Sequence, residues 1–183
     1  MNRLIRSLRH FLGRLAALQD GLAAIEFALI APVMLVTYFG TVELADALIV
    51  NRKATSVAST AADLVAQDTA ITNAEMSDVF AALDAILFPY SSADASIVIS
   101  SVISDGQGGA KVAWSDAQNY SARAVDSLVT IPEGLITTGS SVIFAEVRYS
   151  YRSPAGQLIY GTIEMSDKFY VRPRRTLQVA RVP

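Results

Sequence analysis

The apolar positions of this chain fall into three rhythms. From Leu22 to Val42 they run almost unbroken, with Glu26 as the one charge. That run matches the roughly 20 apolar residues a helix needs to cross a bilayer. From Leu44 onward, polar residues enter at helical spacing. Leu48, Ala54, Val57, Ala58, Ala61, Leu64 and Val65 recur with Ser, Thr and charged residues between them. The pattern predicts one long helix that leaves the membrane and becomes amphipathic. A second helix starts at "TNAEM" (Thr72–Met76), where Thr72 caps the first turn and Glu75 reaches back. Met76, Val79, Phe80, Leu83, Ile86 and Leu87 then line one face, and Pro89 closes the helix. These side chains read as core rather than as a ligand groove.

The third rhythm has a period of two. "SIVISSVI", Ser96 to Ile103, is rich in β-branched residues; "DGQGG" is a turn, and Ala110, Val112 and Trp114 alternate after it. That predicts a hairpin. In "VIFAEVRYSYR", Ile143, Ala145, Val147, Tyr149 and Tyr151 share one face, with Glu146, Arg148, Ser150 and Arg152 on the other. "SPAG" makes a turn, and Leu158 to Tyr170 returns as a strand. The expected fold is α+β: a transmembrane helix continuing into an amphipathic one, a second short helix, and a mostly antiparallel sheet of about four strands. Ser115 to Ser141 is ambiguous, and its Ser121–Val129 part reads as a short helix.

Composition sharpens the N-terminal reading. The chain has 183 residues, 52% hydrophobic and 17% charged. A soluble domain carries about 25% charged residues. The net charge is −2, which gives no basic footprint for nucleic acid. Arg3, Arg6, Arg9 and Arg14 against Asp20 give residues 1–21 a net +3, and leave −5 for the rest. Arginines ahead of an apolar span mark that side as cytoplasmic. The expected domains are a basic leader (1–21), a transmembrane helix (22–43) and an outer α+β domain (44–183).

Three readings compete for the apolar segment. A secretory signal has an apolar core of roughly 7–15 residues close to the N-terminus; this run is longer, starts later, and the Ala58-Ser59-Thr60 triplet lies far beyond it. An uncleaved anchor explains the apolar run and the arginines but leaves Glu26 as a tolerated interfacial charge. The third reading takes the glycine and the glutamate together. A basic leader, Gly21, then Leu22-Ala23-Ala24-Ile25-Glu26-Phe27 resembles a class IV prepilin processing site. The longer string "GLAAIEFALIAPVML" resembles the TadE-like pseudopilins of tight adherence (Flp-type) pilus systems, and the resemblance covers roughly residues 14–50. It implies cleavage after Gly21 by a prepilin peptidase, a mature chain starting at Leu22 with Glu26 fifth, and Pro32 as the family's following proline. It further implies other pilus or pseudopilin subunits, the inner-membrane assembly platform and membrane lipid as partners. The expected location is the bacterial inner membrane, single-pass, with the C-terminal domain in the periplasm.

Physical chemistry suits those roles. Gly21 lets a peptidase approach the backbone. Cleavage creates an amine at Leu22, and Glu26 of the same or a neighbouring subunit supplies its partner in lipid. Pro32 removes a backbone donor and can kink the helix, either as a simple kink or with a specific role. Gly40 is compatible with close helix approach, but a lone glycine reads better as having no special role.

Little points to catalysis. There is no cysteine, and the one histidine, His10, lies in the leader. Without them the usual zinc sites and Ser-His or Cys-His systems are unavailable to a mature chain. "GQGGAK", Gly106 to Lys111, lacks the phosphate-loop spacing and sits between strands. Asp84, Asp94, Asp105 and Asp116 are scattered, and a carboxylate hydrolase would need two of them in one pocket. "RPRR", Arg172–Arg175, is the remaining basic cluster, suited to anionic lipid, to an acidic partner, or to a solvated flank. The expectation is a non-enzymatic, cofactor-free pseudopilin or minor pilin. The alternative is an uncleaved membrane-tethered binding or adhesion domain.

Overall fold

A computed structural model describes residues 20–106, 109–153 and 161–183. The leader arginines, His10, Gln107–Gly108, the greater part of "SPAG" and Leu158–Tyr160 lie outside the described residues. The chain divides at Ala45/Asp46 into two units. Helix α1 (Asp20–Ala66) belongs to both and contains Pro32. Up to Ala45 its large apolar side chains are exposed.

The second unit is an α+β body. After α1 come β1 (Ala70–Ile71), α2 (Asn73–Leu87), a 3-10 turn (Ser92–Asp94), β2 (Ala95–Ser104), β3 (Ala110–Gln118), β4 (Ser141–Arg152), β5 (Thr162–Val171) and β6 (Ala180–Arg181). Four of the strands form an antiparallel sheet in the order β3-β2-β4-β5. Strands β1 and β6 make a small parallel pair that the periodicity did not announce. Two residues per strand are too few to show a period.

The capping box at α2 forms as expected: the Glu75 amide donates to the Thr72 hydroxyl, and the Thr72 amide donates to the Glu75 carboxylate at 2.7 Å. Such a cap contributes about 1 kcal/mol. Met76, Leu83 and Leu87 are buried, and Val79, Phe80 and Ile86 flank them.

The core lies between the helices and the inner face of the sheet. Helix α1 supplies Val50, Ala54, Val57, Ala58, Ala61, Ala62, Val65 and Ala66. Its small residues let backbone and sheet approach closely. Leu48, expected on that stripe, is 53% exposed, and Val50 takes the first inward position. The sheet supplies Ile97, Ile99, Ile143, Ala145, Val147, Tyr149 and Tyr151. The face of β4 read from its alternation is therefore the inner face.

A smaller cluster of Val102, Ala110, Val112, Val129 and Phe144 covers the outer face. It exists because of a bulge. Ser101 pairs with Trp114, but Val102 pairs with Val112, so Ala113 is one residue extra. A bulge shifts the alternation of a strand. Val112 thus faces outward while Trp114 joins the inner core, although their spacing predicts one shared face. Ser121–Val129 is not a helix. The Asp126 amide donates to the Val112 carbonyl at 2.8 Å, the Val129 amide to Ala110 at 2.9 Å, and the Val112 amide to Ser127 at 3.0 Å. The segment's backbone partners are on β3, which helical bonding would have to break. Its helix-like apolar residues Val125 and Leu128 are exposed.

The C-terminal segment ties the body together. The Arg174 amide donates to the carbonyl of Ala66, the last residue of α1, at 2.9 Å, and the Ser141 amide donates to Leu177 at 3.0 Å. The buried Trp114 indole donates to the Val179 carbonyl at 2.8 Å.

Candidate functional site

The N-terminal unit presents the feature most in need of a function. Phe27, Leu29, Val36 and Tyr38 are 68%, 72%, 73% and 64% exposed, and Leu22, Ile25, Ile30, Val33, Met34 and Leu35 are exposed as well. At 100° per residue these positions surround the helix. A helix apolar on all sides needs an apolar environment on all sides. Among the described residues this is the one helix long and apolar enough to cross a membrane. Its hydroxyls suit that setting. Thr37 donates to the Val33 carbonyl and Thr41 to the Thr37 carbonyl, each at 2.8 Å. Both polar groups are satisfied within the helix, as hydrocarbon requires. Periodicity does not reveal such bonds.

Gly21 is the second described residue of α1. Leu22 and Glu26 stand four residues apart in the same helix and are exposed. That spacing places them on one face, one turn apart. Helical side chains tilt toward the N-terminus. A carboxylate at 26 therefore leans toward the backbone at 22. Phe27 is exposed beside it, and Pro32 lies inside the helix, where it leaves the Ala28 carbonyl without the usual amide.

The carboxylates of the body have structural partners. Asp84 and Asp116 line one open cleft with Asn73, Met76, Gln118 and Arg181. Within it Asp84 accepts from Gln118 at 3.1 Å, and Asp116 accepts from Arg181 Nε at 2.8 Å. That bond holds the Arg181 guanidinium above its ordinary value. Asp94 pairs with Arg152 at 2.8 Å, and Asp105 accepts from the Gly109 amide at 2.8 Å. Among the described residues, no group of three or more His, Asp or Glu stands ready to hold a metal. The arginines of the "RPRR" cluster are exposed, and two of them bond to the body: Arg172 donates to the carbonyls of Leu135 and Gly134, and Arg174 pairs with Asp63.

The outer face of the sheet, where alternation puts Glu146, buries that carboxylate. Glu146 is 7% exposed. Arg123 donates to it through Nε at 2.8 Å and through Nη2, and its guanidinium lies over the Phe144 ring. Burial pushes the Tyr170 hydroxyl up, with the Glu146 charge adding to it. Arg123 sits in an irregular segment, so no spacing rule links it to β4.

No curated protein and no solved structure matches this chain. The TadE-like protein family does match, over residues 21–63, the stretch that begins at Gly21 and holds Glu26, Phe27 and Pro32. Over that segment the chain is similar to TadE-like proteins.

Proposed function

We propose that the protein is a minor pilin or pseudopilin of a tight adherence pilus, acting in pilus assembly or anchoring and so in surface attachment. The supporting observation is the match at residues 21–63, coincident with a helix apolar on every side. In this reading residues 1–21 are a cytoplasmic leader. A prepilin peptidase removes it after Gly21. The helix from Leu22 sits in the inner membrane, and the α+β body faces the periplasm. The new Leu22 amine pairs with Glu26 of its own or a neighbouring subunit, and the helix packs against other pilus subunits and the assembly platform. In this reading the body acts by shape and contact, without catalysis or cofactor; Asp84 and Asp116 do share one cleft, and what supports the reading is that Gln118 and Arg181 already bond them there.

The test is the N-terminus of the protein extracted from membranes, with and without the cell's prepilin peptidase. A start at Leu22 that depends on the peptidase is expected. A start at Met1 in both strains would leave an uncleaved tether carrying a binding or adhesion domain.

A further inference from the structure

The outer face of the sheet carries a cation that no carboxylate claims. Arg148, on β4, is exposed, and among the described residues no acidic side chain pairs with it. Serines stand across from it on both neighbouring strands, Ser96 on β2 and Ser166 on β5. The acids of that face are engaged elsewhere. Glu146 is held by Arg123, with Lys168 at 4.0 Å, and Glu164 accepts from the Ser150 hydroxyl at 2.7 Å. What Arg148 touches is Tyr120. Its Nη1 donates to the Tyr120 hydroxyl at 3.1 Å, and its guanidinium lies 5.1 Å from the ring centroid. Tyr120 is itself 55% exposed, so this pairing adds little to the core.

Arg148 and Tyr120 line a pocket of about 190 Å³ together with Ser96, Val98, Ala122 and Arg123, and with the compensated Glu146. The loop that forms one wall is fastened at both ends. Asn119 Nδ2 donates to the carbonyls of Ser92 at 3.0 Å and Ala95 at 2.9 Å, and the Arg123 amide donates to the Ser115 hydroxyl at 3.1 Å. A wall already ordered lowers the cost of binding. A guanidinium has five N–H donors, and Tyr120 takes one of those of Arg148. The Tyr120 hydroxyl accepts that bond, which leaves its own proton to donate. The planar guanidinium fork matches a carboxylate. Val98, Ala122 and the Tyr120 ring offer apolar contact to the carbon frame behind such a group. The volume is below the roughly 300–1,000 Å³ typical of pockets for drug-sized ligands, so the ligand is small. We propose that this pocket binds a small organic carboxylate, held by Arg148 and Tyr120 with its carbon frame against Val98 and Ala122. The site goes beyond the pilus reading and does not depend on it.

The test is a titration of the full-length protein in detergent, labelled with ¹³C-tyrosine, at neutral pH and constant ionic strength. The probes are glucuronate, acetate and inorganic phosphate. The chain has seven tyrosines, and the Tyr120 signal is assigned by its loss in Tyr120→Phe. The expected result is a saturable shift of that signal with glucuronate, a weaker response to acetate and the weakest to phosphate. Arg148→Gln should weaken glucuronate binding by at least about tenfold, the worth of a hydrogen bond to a charged group. The other tyrosine signals should stay in place, which shows that the fold survives. Lys168→Gln removes a nearby cation outside the lining and should change binding by less than about twofold, as expected of a screened surface charge. No saturable shift, or a glucuronate response unchanged in Arg148→Gln, overturns the site. An equal response to phosphate, or an equal loss in Lys168→Gln, also overturns it and leaves only a diffuse positive field.

Discussion

Arg123 reaches from an irregular segment to the central strand β4 and donates to one oxygen of Glu146, through Nε at 2.8 Å and Nη2 at 2.5 Å. Lys168 stands at 4.0 Å from the other oxygen. Removing one partner of a buried pair leaves a charge without compensation. Arg123 is about a third exposed, so solvent softens the loss. Arg123→Ala is expected to lower stability by about 1–3 kcal/mol, read from denaturant unfolding. Arg123→Met with Glu146→Met should cost less than the sum of the single changes, since an apolar pair of similar volume is often neutral. Strict additivity would show that the pair does not act together.

The capping box makes α2 sensitive to acid. The Thr72 amide first, and its hydroxyl second, hold the Glu75 carboxyl below its ordinary value of 4.5. A carboxyl lowered by folding stabilises the fold above its unfolded value. That contribution is lost as pH falls through the folded value. The cap therefore weakens below pH 4.5 and is intact at neutrality. Glu75→Gln should flatten this part of the pH–stability profile, and Thr72→Ala should cost about 1 kcal/mol at pH 7. An unchanged acid limb in Glu75→Gln would assign the sensitivity to other carboxylates.

The helices and the main strands were legible because their signals are local, while the order of the strands in the sheet was not. A capping box, a 3.6-residue stripe and a run of β-branched residues each declare themselves within a few positions. Features made by distant segments were not. Trp114 and Val112 look like one face until the extra Ala113 separates them, and the bulge is defined only by pairing with β2. Ser121–Val129 has apolar spacing compatible with a helix, yet its amides and carbonyls are taken by β3. Alternation puts Glu146 on the polar face of β4, and its burial depends on Arg123, which arrives from 23 residues away. At the N-terminus the opposite holds. Gly21, Glu26 and Pro32 stand out in the sequence itself, within the stretch the family matches, and the helix adds the one-turn relation of Leu22 to Glu26.

The C-terminal segment is expected to be integral to the body rather than a loose flank. Val179 is 2% exposed and accepts from Trp114. Arg181 bonds Asp116 at 2.8 Å, Asn73 at 2.5 Å and the Ile71 carbonyl at 3.2 Å. Arg181→Ala should lower stability by about 1–3 kcal/mol, because Asp116 loses a charged donor. Trp114→Phe keeps the ring and removes the donor, and should cost about 0.5–2 kcal/mol. Hydrogen exchange would locate both effects. Faster exchange at the Ala180 and Val182 amides, which donate to Thr69 and Ile71, is the expected sign. Unchanged exchange there would detach this segment from the core.

Glu26 is the residue whose replacement separates anchoring from assembly. In the proposed reading, a carboxylate one turn beyond Leu22 gains a partner when cleavage exposes an amine; a plain membrane anchor would offer it no such amine. Glu26→Gln preserves volume and removes the charge. Membrane insertion and cleavage after Gly21 should both survive it. Association with other pilus subunits should fall by about 1.5–3 kcal/mol, the worth of a hydrogen bond to a charged group, which is about a 10- to 150-fold loss in affinity. Quantitative co-purification from detergent extracts reads this directly. The same extracts give the N-terminus, so a cleavage defect is told apart from an assembly defect. A Glu26→Gln protein that is cleaved and recovers its partners in full would remove the pairing role and make Glu26 an interfacial charge tolerated near the end of the span.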